Sequence, residues 1–349
     1  MNRFKSLIVT EIIRVTHNAI SLTLRIPEKM KHDFTFSPGQ YITIKSVLNG
    51  KEIRRSYSIC SLPNQEDLQI VVKKIENGLF SDHVFNHLKK GTSLEVSTPE
   101  GNFMYNATNS NDSTIVAVAA GSGITPIFSI IQKILFHTKN KIILLYGNKN
   151  IENTIFYNQL VNLAIDYPER FLLKLFYSEE NLPNTTYGRI TPEDISKAIK
   201  SFTKLDCIND FYICGPEILI RDTESFLLDL GVNKNKIHHE LFYTEPVIIT
   251  PPLNSDNNKT SVKITLDGIT EQILVDKNTL LLDSLLEANL DVPYSCQNGI
   301  CSTCACYLVS GNINMIKNEV LNDEEIKEGK IVTCQSYPLS DTIELNYDI

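Results

Sequence analysis

Four cysteines carry the most specific chemical signal in the sequence. Cys296, Cys301 and Cys304 are spaced C-x4-C-x2-C, and Cys334 stands thirty positions further on. This is the plant-type [2Fe–2S] spacing, in which three thiolates come from one tight loop and the fourth from another element. Small residues in the loop let backbone N–H groups approach the sulfurs. A zinc site is the main alternative, but it favours two short C-x2–4-C pairs and only one is present.

The other four cysteines are interpreted separately. Cys60 and Cys207 are explained most simply as small apolar core residues. Cys306 lies two residues past Cys304 and would alternate with its neighbours on a strand, so we do not expect it to be a ligand. Cys214 ends an apolar run and is considered below with its motif.

A glycine turn, "AAGSGITP" at residues 119–126, joins an apolar run to a helical pattern. Glycines there let a pyrophosphate approach the backbone, Thr125 can cap the helix, and Pro126 suits its first turn. The third glycine of the full G-x-G-x-x-G fingerprint is missing. A nucleotide-binding turn and a plain tight turn are therefore both open at this point.

The stretch "RRSYS" combines charged, hydroxyl and aromatic side chains on one predicted strand. Alternation places Ser56 and Ser58 on the face of Arg54, with Arg55 and Tyr57 on the opposite face. Taken alone, this is also the pattern of an ordinary half-exposed strand.

Length and composition indicate a soluble protein of two or three domains. The 349 residues are 42% hydrophobic and 21% charged, which is typical of globular domains with sizeable cores. No apolar run approaches the roughly 18 residues of a membrane span, and the N-terminal stretch has no signal-peptide pattern. We therefore expect a cytoplasmic protein, and a reducing cytoplasm disfavours a disulfide interpretation of the cysteines.

The excess negative charge lies in the last quarter of the chain. Residues 259–349 carry 14 acidic and 6 basic side chains, a net charge of −8, and the remainder has 27 of each sign. Nucleic-acid binding is disfavoured, because phosphate contacts need a basic surface. An acidic surface suits steering toward a basic protein partner, or it simply keeps the domain soluble.

Changes of hydrophobic pattern predict where the domains lie. Residues 1–108 contain six short β-rich runs and one helix from Ser81 to Gly91, which predicts a closed antiparallel β-barrel. Residues 109–245 alternate apolar strands with helices, as in a Rossmann-like α/β domain with a parallel sheet.

The remaining residues predict a linker and a third domain. Residues 246–258 have the Pro/Asn/Ser composition of a linker. Residues 259–349 predict a hairpin, a helix, the cysteine loop and two closing strands at 330–336 and 341–347, an α+β domain of the β-grasp kind.

Four motifs in this order resemble those of the ferredoxin–NADP reductase superfamily. They are R-x-Y-S at 55–58, "GLFS" at 78–81, "GSGITP" at 121–126 and "YICGP" at 212–216. The C-terminal ferredoxin-like domain narrows the resemblance to fused oxygenase reductases, such as those of the phenylacetyl-CoA epoxidase and ketosteroid-hydroxylase systems. The resemblance covers nearly the whole chain and implies the domain order flavin, nicotinamide, iron–sulfur.

The resemblance implies a role for each motif. The catalytic candidates are Ser58 near the reactive nitrogen of the flavin, Cys214 where the nicotinamide stacks, and Glu240, which with an aromatic residue closes over the flavin. The flavin-binding candidates are Arg55, Tyr57, Ser58, Lys73, Gly78, Phe80, Ser81 and Phe242. The nicotinamide-nucleotide candidates are Gly121, Ser122, Gly123, Thr125, Cys214, Gly215 and Pro216, and the metal ligands are Cys296, Cys301, Cys304 and Cys334.

The cofactors follow from the same resemblance. FAD is favoured over FMN, although phthalate-type reductases with this domain order use FMN. NADH is favoured over NADPH, because Glu179 stands where NADPH-dependent relatives often carry an Arg, and a carboxylate repels a phosphate. Lys149 could compensate for that charge.

These cofactors together imply a converter of two-electron into one-electron transfer. A nicotinamide gives up hydride, a flavin accepts it and can release electrons singly, and a [2Fe–2S] cluster takes one electron at a time. The sequence has no signature of a second metal centre, so a separate oxygenase of di-iron or Rieske type is expected to dock near the acidic domain. The alternatives are an FMN-dependent reductase of a Rieske dioxygenase and a non-catalytic iron–sulfur or zinc regulatory protein.

Overall fold

The computed structural model describes residues 4–63, 65–106, 113–242 and 258–348. These residues divide into two units, 4–242 and 258–348, and each is described by itself. The predicted domain boundaries at 108 and 245, and all of the predicted linker except Asn258, lie outside the described residues. Among the helices of the described ranges, none is long and apolar enough to cross a membrane.

The first part of unit 4–242 is the predicted antiparallel six-stranded barrel. Its strand order is β4-β3-β6-β1-β2-β5, and a bridge between Ile59 and Ile70 joins its two ends. One helix, α1 (Leu79–Asn86), lies between β5 and β6. The strands are β1 (Phe4–Thr16), β2 (Ala19–Arg25), β3 (Tyr41–Leu48), β4 (Lys51–Ser58), β5 (Asp67–Lys73) and β6 (Ser93–Ser97).

The barrel core follows from alternation along the strands. Leu22 and Leu24 on β2 are fully buried on either side of the half-buried Thr23, as a strand with one face toward the core requires. On β3, Ile42, Thr43 and Ile44 are all fully buried, so this part of the strand is covered on both faces. Burial of these side chains is the main stabilisation of such a sheet.

Helix α1 differs from its prediction at both ends. It begins at Leu79 rather than at Ser81 and ends at Asn86 rather than near Gly91. Ser81 lies inside the first turn, where its hydroxyl donates to the carbonyl oxygen of Gly78 at 3.0 Å. The Ser-Asp pair therefore fills the first turn of the helix and does not precede it.

The second part of unit 4–242 is a six-stranded parallel sheet in the order β10-β9-β8-β7-β11-β12. The predicted alternation of strands and helices is confirmed, and only the two-residue strand β10 was not expected. The strands are β7 (Thr114–Ala120), β8 (Lys141–Asn148), β9 (Phe171–Tyr177), β10 (Thr186–Tyr187), β11 (Ile208–Gly215) and β12 (Ile237–Leu241). The helices are α2 (Ile124–His137), α3 (Tyr157–Asp166), α4 (Pro192–Phe202) and α5 (Glu217–Asp229).

Local chemistry explains where these helices start. Helix α4 begins at the predicted Pro192, after Thr191, whose hydroxyl accepts from the backbone N–H of Asp194, while the Asp194 carboxylate accepts from the N–H of Thr191. This reciprocal capping box satisfies N–H groups that otherwise lack partners. The two parts of the unit share a core that includes Val71 of the barrel and Ile127 and Ile131 of α2.

Unit 258–348 has the predicted β-grasp architecture. Its five-stranded sheet has the order β14-β13-β19-β15-β17, in which β13 and β19 run parallel, and a two-stranded sheet joins β16 and β18. The strands are β13 (Lys259–Leu266), β14 (Ile269–Asp276), β15 (Ala305–Ser310), β16 (Ile313–Met315), β17 (Lys330–Val332), β18 (Ser336–Pro338) and β19 (Thr342–Asn346). The helices are α6 (Leu281–Glu287) and α7 (Asp323–Lys327).

The predicted strand at 330–336 is wrong in its second half. Strand β17 ends at Val332, and a single 3₁₀ turn, Thr333–Gln335, follows it. Thr333, Cys334 and Gln335 are all buried, which the alternation of a one-sided strand would not allow. The turn brings Cys334 out of the sheet and toward the cysteine loop.

Candidate functional site

The topology of the parallel sheet indicates where a ligand would bind. The chain leaves β7 toward β8 on one side and returns to β11 on the other, so β7 and β11 flank a topological switch point. Ligands of open α/β sheets bind outside the carboxyl ends of the strands at such a point. Gly121 follows β7 there, and Cys214 and Gly215 end β11.

The glycine turn after β7 is shaped by close backbone contacts. Gly121 has a φ of +55°, and its carbonyl oxygen accepts a hydrogen bond from the Tyr146 hydroxyl at 3.0 Å. A Cβ on Gly123 would lie 2.1 Å from the carbonyl oxygen of Cys214. Only glycine permits this approach of the start of α2 to the end of β11, and the turn is thereby fixed beside Cys214.

Thr125 does not cap α2, contrary to prediction. The helix begins at Ile124, so Thr125 already lies in its first turn and is buried. Its hydroxyl donates to the carbonyl oxygen of Ser122 at 2.9 Å, whereas a cap would accept from an N–H. Pro126 lies in the first turn, as predicted.

Lys73 brings a positive charge to the glycine turn. Its Nζ lies 3.3 Å from the position that a Cβ on Gly121 would occupy. Burial, and then the nearby Lys149, lower the pKa of the Lys73 ammonium. A partly desolvated cation beside a glycine turn is suited to an anionic group such as a pyrophosphate.

The three catalytic candidates lie together at the end of the sheet. Cys214 on β11 is paired in register with Glu240 on β12, and the Ser58 hydroxyl donates to the Glu240 carboxylate at 3.5 Å. Burial raises the pKa of Glu240 to about 8, while the bond from Ser58 lowers it. Burial, and then the charge of Glu240, raise the pKa of the fully buried Cys214 thiol. At neutral pH the site therefore holds a neutral thiol and a mostly neutral carboxyl group.

The other flavin candidates differ in exposure. Tyr57 is half-buried, and its ring centroid lies 5.8 Å from that of Phe80. Phe80 is 2% exposed in the barrel core, so its side chain supports the Gly78–Ser81 turn from inside. Arg55 is exposed, and Phe242 follows β12 with 38% of its side chain exposed. Pro216 begins the turn into α5 directly after Gly215.

Asn148 is a candidate that the sequence analysis missed. It ends β8 at the carboxyl edge of the sheet, and its side-chain nitrogen is buried without a hydrogen-bond partner in the described part of the chain. A buried donor without a partner is costly, so a ligand oxygen at this edge would satisfy it. The sequence feature that could have indicated Asn148 is its position at the end of a predicted strand, next to Lys149. Together with the glycine turn, this unsatisfied donor fits a bound nucleotide.

The four predicted ligands converge in unit 258–348. The pKa of Cys296 is lowered by hydrogen bonds to its sulfur, first from Cys301 and then from Cys334. Cys304 likewise interacts with Cys334, which lowers the pKa of Cys304. The contacts thus run Cys301–Cys296–Cys334–Cys304. These contacts bring the three thiols of the loop and the thiol of the 3₁₀ turn close enough together to bind one metal cluster.

The loop around these sulfurs fits an iron–sulfur cluster. The backbone N–H of Asn298 donates to the Cys296 sulfur at 3.4 Å. Gly299 has a φ of +69°, and a Cβ there would lie 3.0 Å from both the Lys317 carbonyl oxygen and Gln335 Cγ. The spacing C-x4-C-x2-C with a distant fourth cysteine is that of a two-iron cluster, which spreads four thiolates over two metals, whereas a zinc site favours two short C-x2–4-C pairs.

The remaining cysteines are separate from that group. Cys306 is buried on β15 in the core of the same unit, and burial followed by the charge of Cys304 raises the pKa of its thiol. Cys60 is buried and donates to the carbonyl oxygen of Gln69 at 3.2 Å. Cys207 is exposed in a short 3₁₀ turn, which differs from the apolar core position expected for it.

Comparison with known proteins agrees with this architecture. Three family models match the chain: "Oxidoreductase FAD-binding domain" at residues 6–105, "Oxidoreductase NAD-binding domain" at 117–225 and "2Fe-2S iron-sulfur cluster binding domain" at 264–339. These matches confirm FAD, a nicotinamide nucleotide and a [2Fe–2S] cluster as the cofactors, together with the predicted fold classes.

Curated relatives extend over the whole chain. It is 32% identical to a component of the 1,2-phenylacetyl-CoA epoxidase of Escherichia coli, over 100% of this chain and 99% of that protein. It is 33% identical to the 3-ketosteroid-9-alpha-monooxygenase, ferredoxin reductase component, of Mycobacterium tuberculosis, over 97% and 95%.

A solved structure shows the same fold. Phthalate dioxygenase reductase matches with a TM-score of 0.62 and 23% identity, over 98% of both chains. The predicted class, an oxidoreductase of the ferredoxin-reductase type, is confirmed by the relatives and the domain matches. The chain belongs to the family of ferredoxin-reductase-like oxygenase reductases, which join an FAD-binding barrel, an NAD-binding domain and a C-terminal [2Fe–2S] domain.

Proposed function

We propose that this reductase takes electrons from NADH and delivers them one at a time to a partner oxygenase. One observation carries the proposal: a single chain joins a switch-point site containing Ser58, Cys214 and Glu240 to a loop of four converging thiols. When bound, the nicotinamide supplies hydride, and the flavin and the cluster allow its electrons to leave singly. We also propose the boundaries 1–108, 109–245, 246–258 and 259–349 for the domains and their linker.

The residues of the switch-point site have distinct proposed tasks. Lys73 and the turn at Gly121 hold phosphate oxygens, and the apolar thiol of Cys214 lines the place where the nicotinamide stacks. Ser58 donates to Glu240, whose raised pKa keeps a proton on the carboxyl group at neutral pH. A neutral group there tolerates electron density arriving beside it, which an ionised carboxylate would oppose. The other flavin and nucleotide candidates named from sequence are proposed as binding residues.

We propose NADH as the electron donor because of the charges beyond β8 and β9. Lys149 forms an ion pair with Glu179 at 3.1 Å, so the cation expected to attract an additional phosphate is already neutralised. Both side chains are more than half exposed, so the pair itself contributes little stability.

Replacing Glu179 tests this choice of donor. We expect Glu179→Arg to raise kcat/KM for NADPH about tenfold relative to NADH, since a positive charge there would attract the phosphate that the carboxylate repels. Glu169→Arg is the control, a charge reversal at a residue that is not part of the ion pair. Equal effects of the two variants, or an unchanged ratio, would show that Glu179 does not select the donor.

The proposed partner is an oxygenase of the phenylacetyl-CoA epoxidase or a related hydroxylase type. The support is that relatives matching 97% or more of the chain are named as components of an epoxidase and of a monooxygenase. We further propose that the acidic domain, with a net charge of −8, is the docking face for a di-iron or Rieske oxygenase. Raising the salt concentration should then slow oxygenase-coupled turnover. A coupled rate that does not change with salt would contradict electrostatic docking.

The spectrum of the purified protein tests the proposed function itself. We expect flavin and iron–sulfur absorbance together, both bleached by NADH under anaerobic conditions. A cluster whose absorbance NADH leaves unchanged would favour a non-catalytic iron–sulfur regulatory protein.

A further inference from the structure

Two hydrogen-bonded side chains connect Tyr347, directly after the last strand β19, to the backbone of the proposed cluster ligand Cys304. The Tyr347 hydroxyl donates to Thr333 Oγ1 at 3.2 Å, and Thr333 Oγ1 donates to the carbonyl oxygen of Cys304 at 3.0 Å. Thr333 is completely buried. Tyr347 and Thr333 are not part of the cysteine pattern, and no spacing in the sequence predicts that their side chains are hydrogen-bonded.

The position of Tyr347 is fixed by the backbone on both sides. Its N–H donates to the carbonyl oxygen of Thr265 at 2.9 Å. The next residue, Asp348, accepts from the backbone N–H groups of Asp267 and Gly268, each at 2.7 Å. Tyr347 is therefore anchored to β13 and to the turn after it, and its hydroxyl is held toward Thr333.

Thr333 connects two ligand-bearing segments. It directly precedes Cys334, and its hydroxyl and backbone N–H both approach the carbonyl oxygen of Cys304, the latter at 3.4 Å. A hydroxyl has one hydrogen to donate. Because Tyr347 occupies an acceptor position of Thr333 Oγ1, the hydrogen of Thr333 stays directed at Cys304.

The two O–H groups donate in sequence toward the backbone of a ligand residue, Tyr347 to Thr333 Oγ1 and Thr333 to the carbonyl oxygen of Cys304. Aligned hydrogen bonds polarise one another in a low-dielectric interior. A reduced cluster carries one more negative charge than an oxidised one, so dipoles directed at it favour reduction. Hydrogen bonding around the ligands is one of the factors that set cluster potentials.

We propose that Tyr347 is a positioning residue that acts through Thr333 to hold the Cys304 segment and to raise the reduction potential of the cluster. The proposal rests on the cluster assignment within the proposed function. Within that function, Tyr347 would set how readily the [2Fe–2S] cluster accepts an electron from the flavin.

The test is an EPR-monitored redox titration of the full-length protein, with iron content measured in parallel. We expect Tyr347→Phe to retain iron and to shift the one-electron equilibrium of the cluster three- to tenfold toward the oxidised form. At about 59 mV per tenfold change, this is a fall of roughly 30 to 60 mV. The control is Tyr307→Phe, which removes a phenol opposite Asn346 in the same sheet and outside this chain of hydrogen bonds. It should leave the potential unchanged.

Variants of Thr333 distinguish an effect transmitted through the hydrogen bonds of Tyr347 and Thr333, which we call the relay, from a general loss of stability of the domain. Thr333→Ser keeps the hydroxyl and should keep the wild-type potential, whereas Thr333→Val should lower it. The Tyr347 hydroxyl also contacts the buried Cys306 thiol, so these variants are compared in a Cys306→Ala background. There the potential of the double variant Tyr347→Phe with Thr333→Val should fall no further than that of Thr333→Val alone. If Tyr347→Phe loses its iron, the contrast between the serine and valine variants decides the question.

Two results would overturn the relay. One is a Tyr347→Phe protein with the wild-type potential, and the other is a double variant whose shift is the sum of the single shifts. A wild-type protein without iron would contradict the cluster assignment instead, so the two failures are distinguishable.

Discussion

Replacing Glu240 with glutamine removes the most strongly perturbed carboxyl group of the switch-point site. Burial raises its pKa from an ordinary 4.5 to about 8. At pH 7 this means about ten neutral carboxyl groups for each ionised one, and at pH 9 the ratio is reversed. Glutamine has a similar shape and stays neutral at every pH, so it imitates the protonated form.

The expected readout is the pH dependence of flavin reduction by NADH in single-turnover stopped flow. The wild-type rate should fall about tenfold per pH unit above pH 8, and the Glu240→Gln rate should stay constant from pH 6.5 to 9.5. Ser58→Ala should move the wild-type fall to higher pH, because the bond from Ser58 lowers the pKa of Glu240. A Glu240→Gln profile that matches wild type, or a shift to lower pH in Ser58→Ala, would refute the assignment.

Thermal unfolding gives an independent check on the same group. A carboxyl group whose pKa is raised by folding contributes stability that is full below pH 4.5 and is lost as the pH rises through 8. The whole shift corresponds to about 5 kcal/mol at 1.36 kcal/mol per unit. Partial solvent contact screens this, so we expect ~2 kcal/mol. Glu240→Gln should therefore be more stable than wild type at pH 9 but not at pH 5, and equal stability at both would contradict this.

Two further predictions concern packing and ligation. A Cβ on Gly123 would lie 2.1 Å from the backbone oxygen of Cys214, so Gly123→Ala should lower the free energy of unfolding by about 3 kcal/mol. Gly121→Ala, strained by its positive φ and by a 3.3 Å contact with the flexible end of Lys73, should cost about 1 kcal/mol, and equal costs in urea unfolding would contradict this comparison. Cys306→Ala should retain two irons per chain and Cys304→Ser should not, as iron analysis would show. Loss of iron from Cys306→Ala would make Cys306 a ligand.

The sequence predicted most of what depends on local pattern. Short β-rich runs separated by turn residues located all six barrel strands, and continuous apolar runs such as β7 located the parallel sheet, because both signals are local in the sequence. The spacing of the cysteines predicted a common site without any knowledge of the fold. The start of α4 at Pro192 was also visible, since Thr191 and Asp194 provide its cap.

Features that depend on distant contacts could not be predicted. The meeting of Cys214 with Glu240 depends on the register between β11 and β12, and the turn at Cys334 depends on the loop it must face. Strands of three residues, such as β16 and β18, are too short to show a period. The unsatisfied donor of Asn148 appears only when the neighbouring strands are in place.

The central claim is that electrons from NADH reach the cysteine-held centre of this chain. Anaerobic addition of excess NADH to the full-length protein, followed by EPR spectroscopy, measures this directly. We expect a reduced [2Fe–2S] signal approaching one spin per chain, absent from Cys304→Ser, while the flavin absorbance is bleached in both proteins. A bleached flavin beside a cluster that stays oxidised, or a signal that persists in Cys304→Ser, would contradict it.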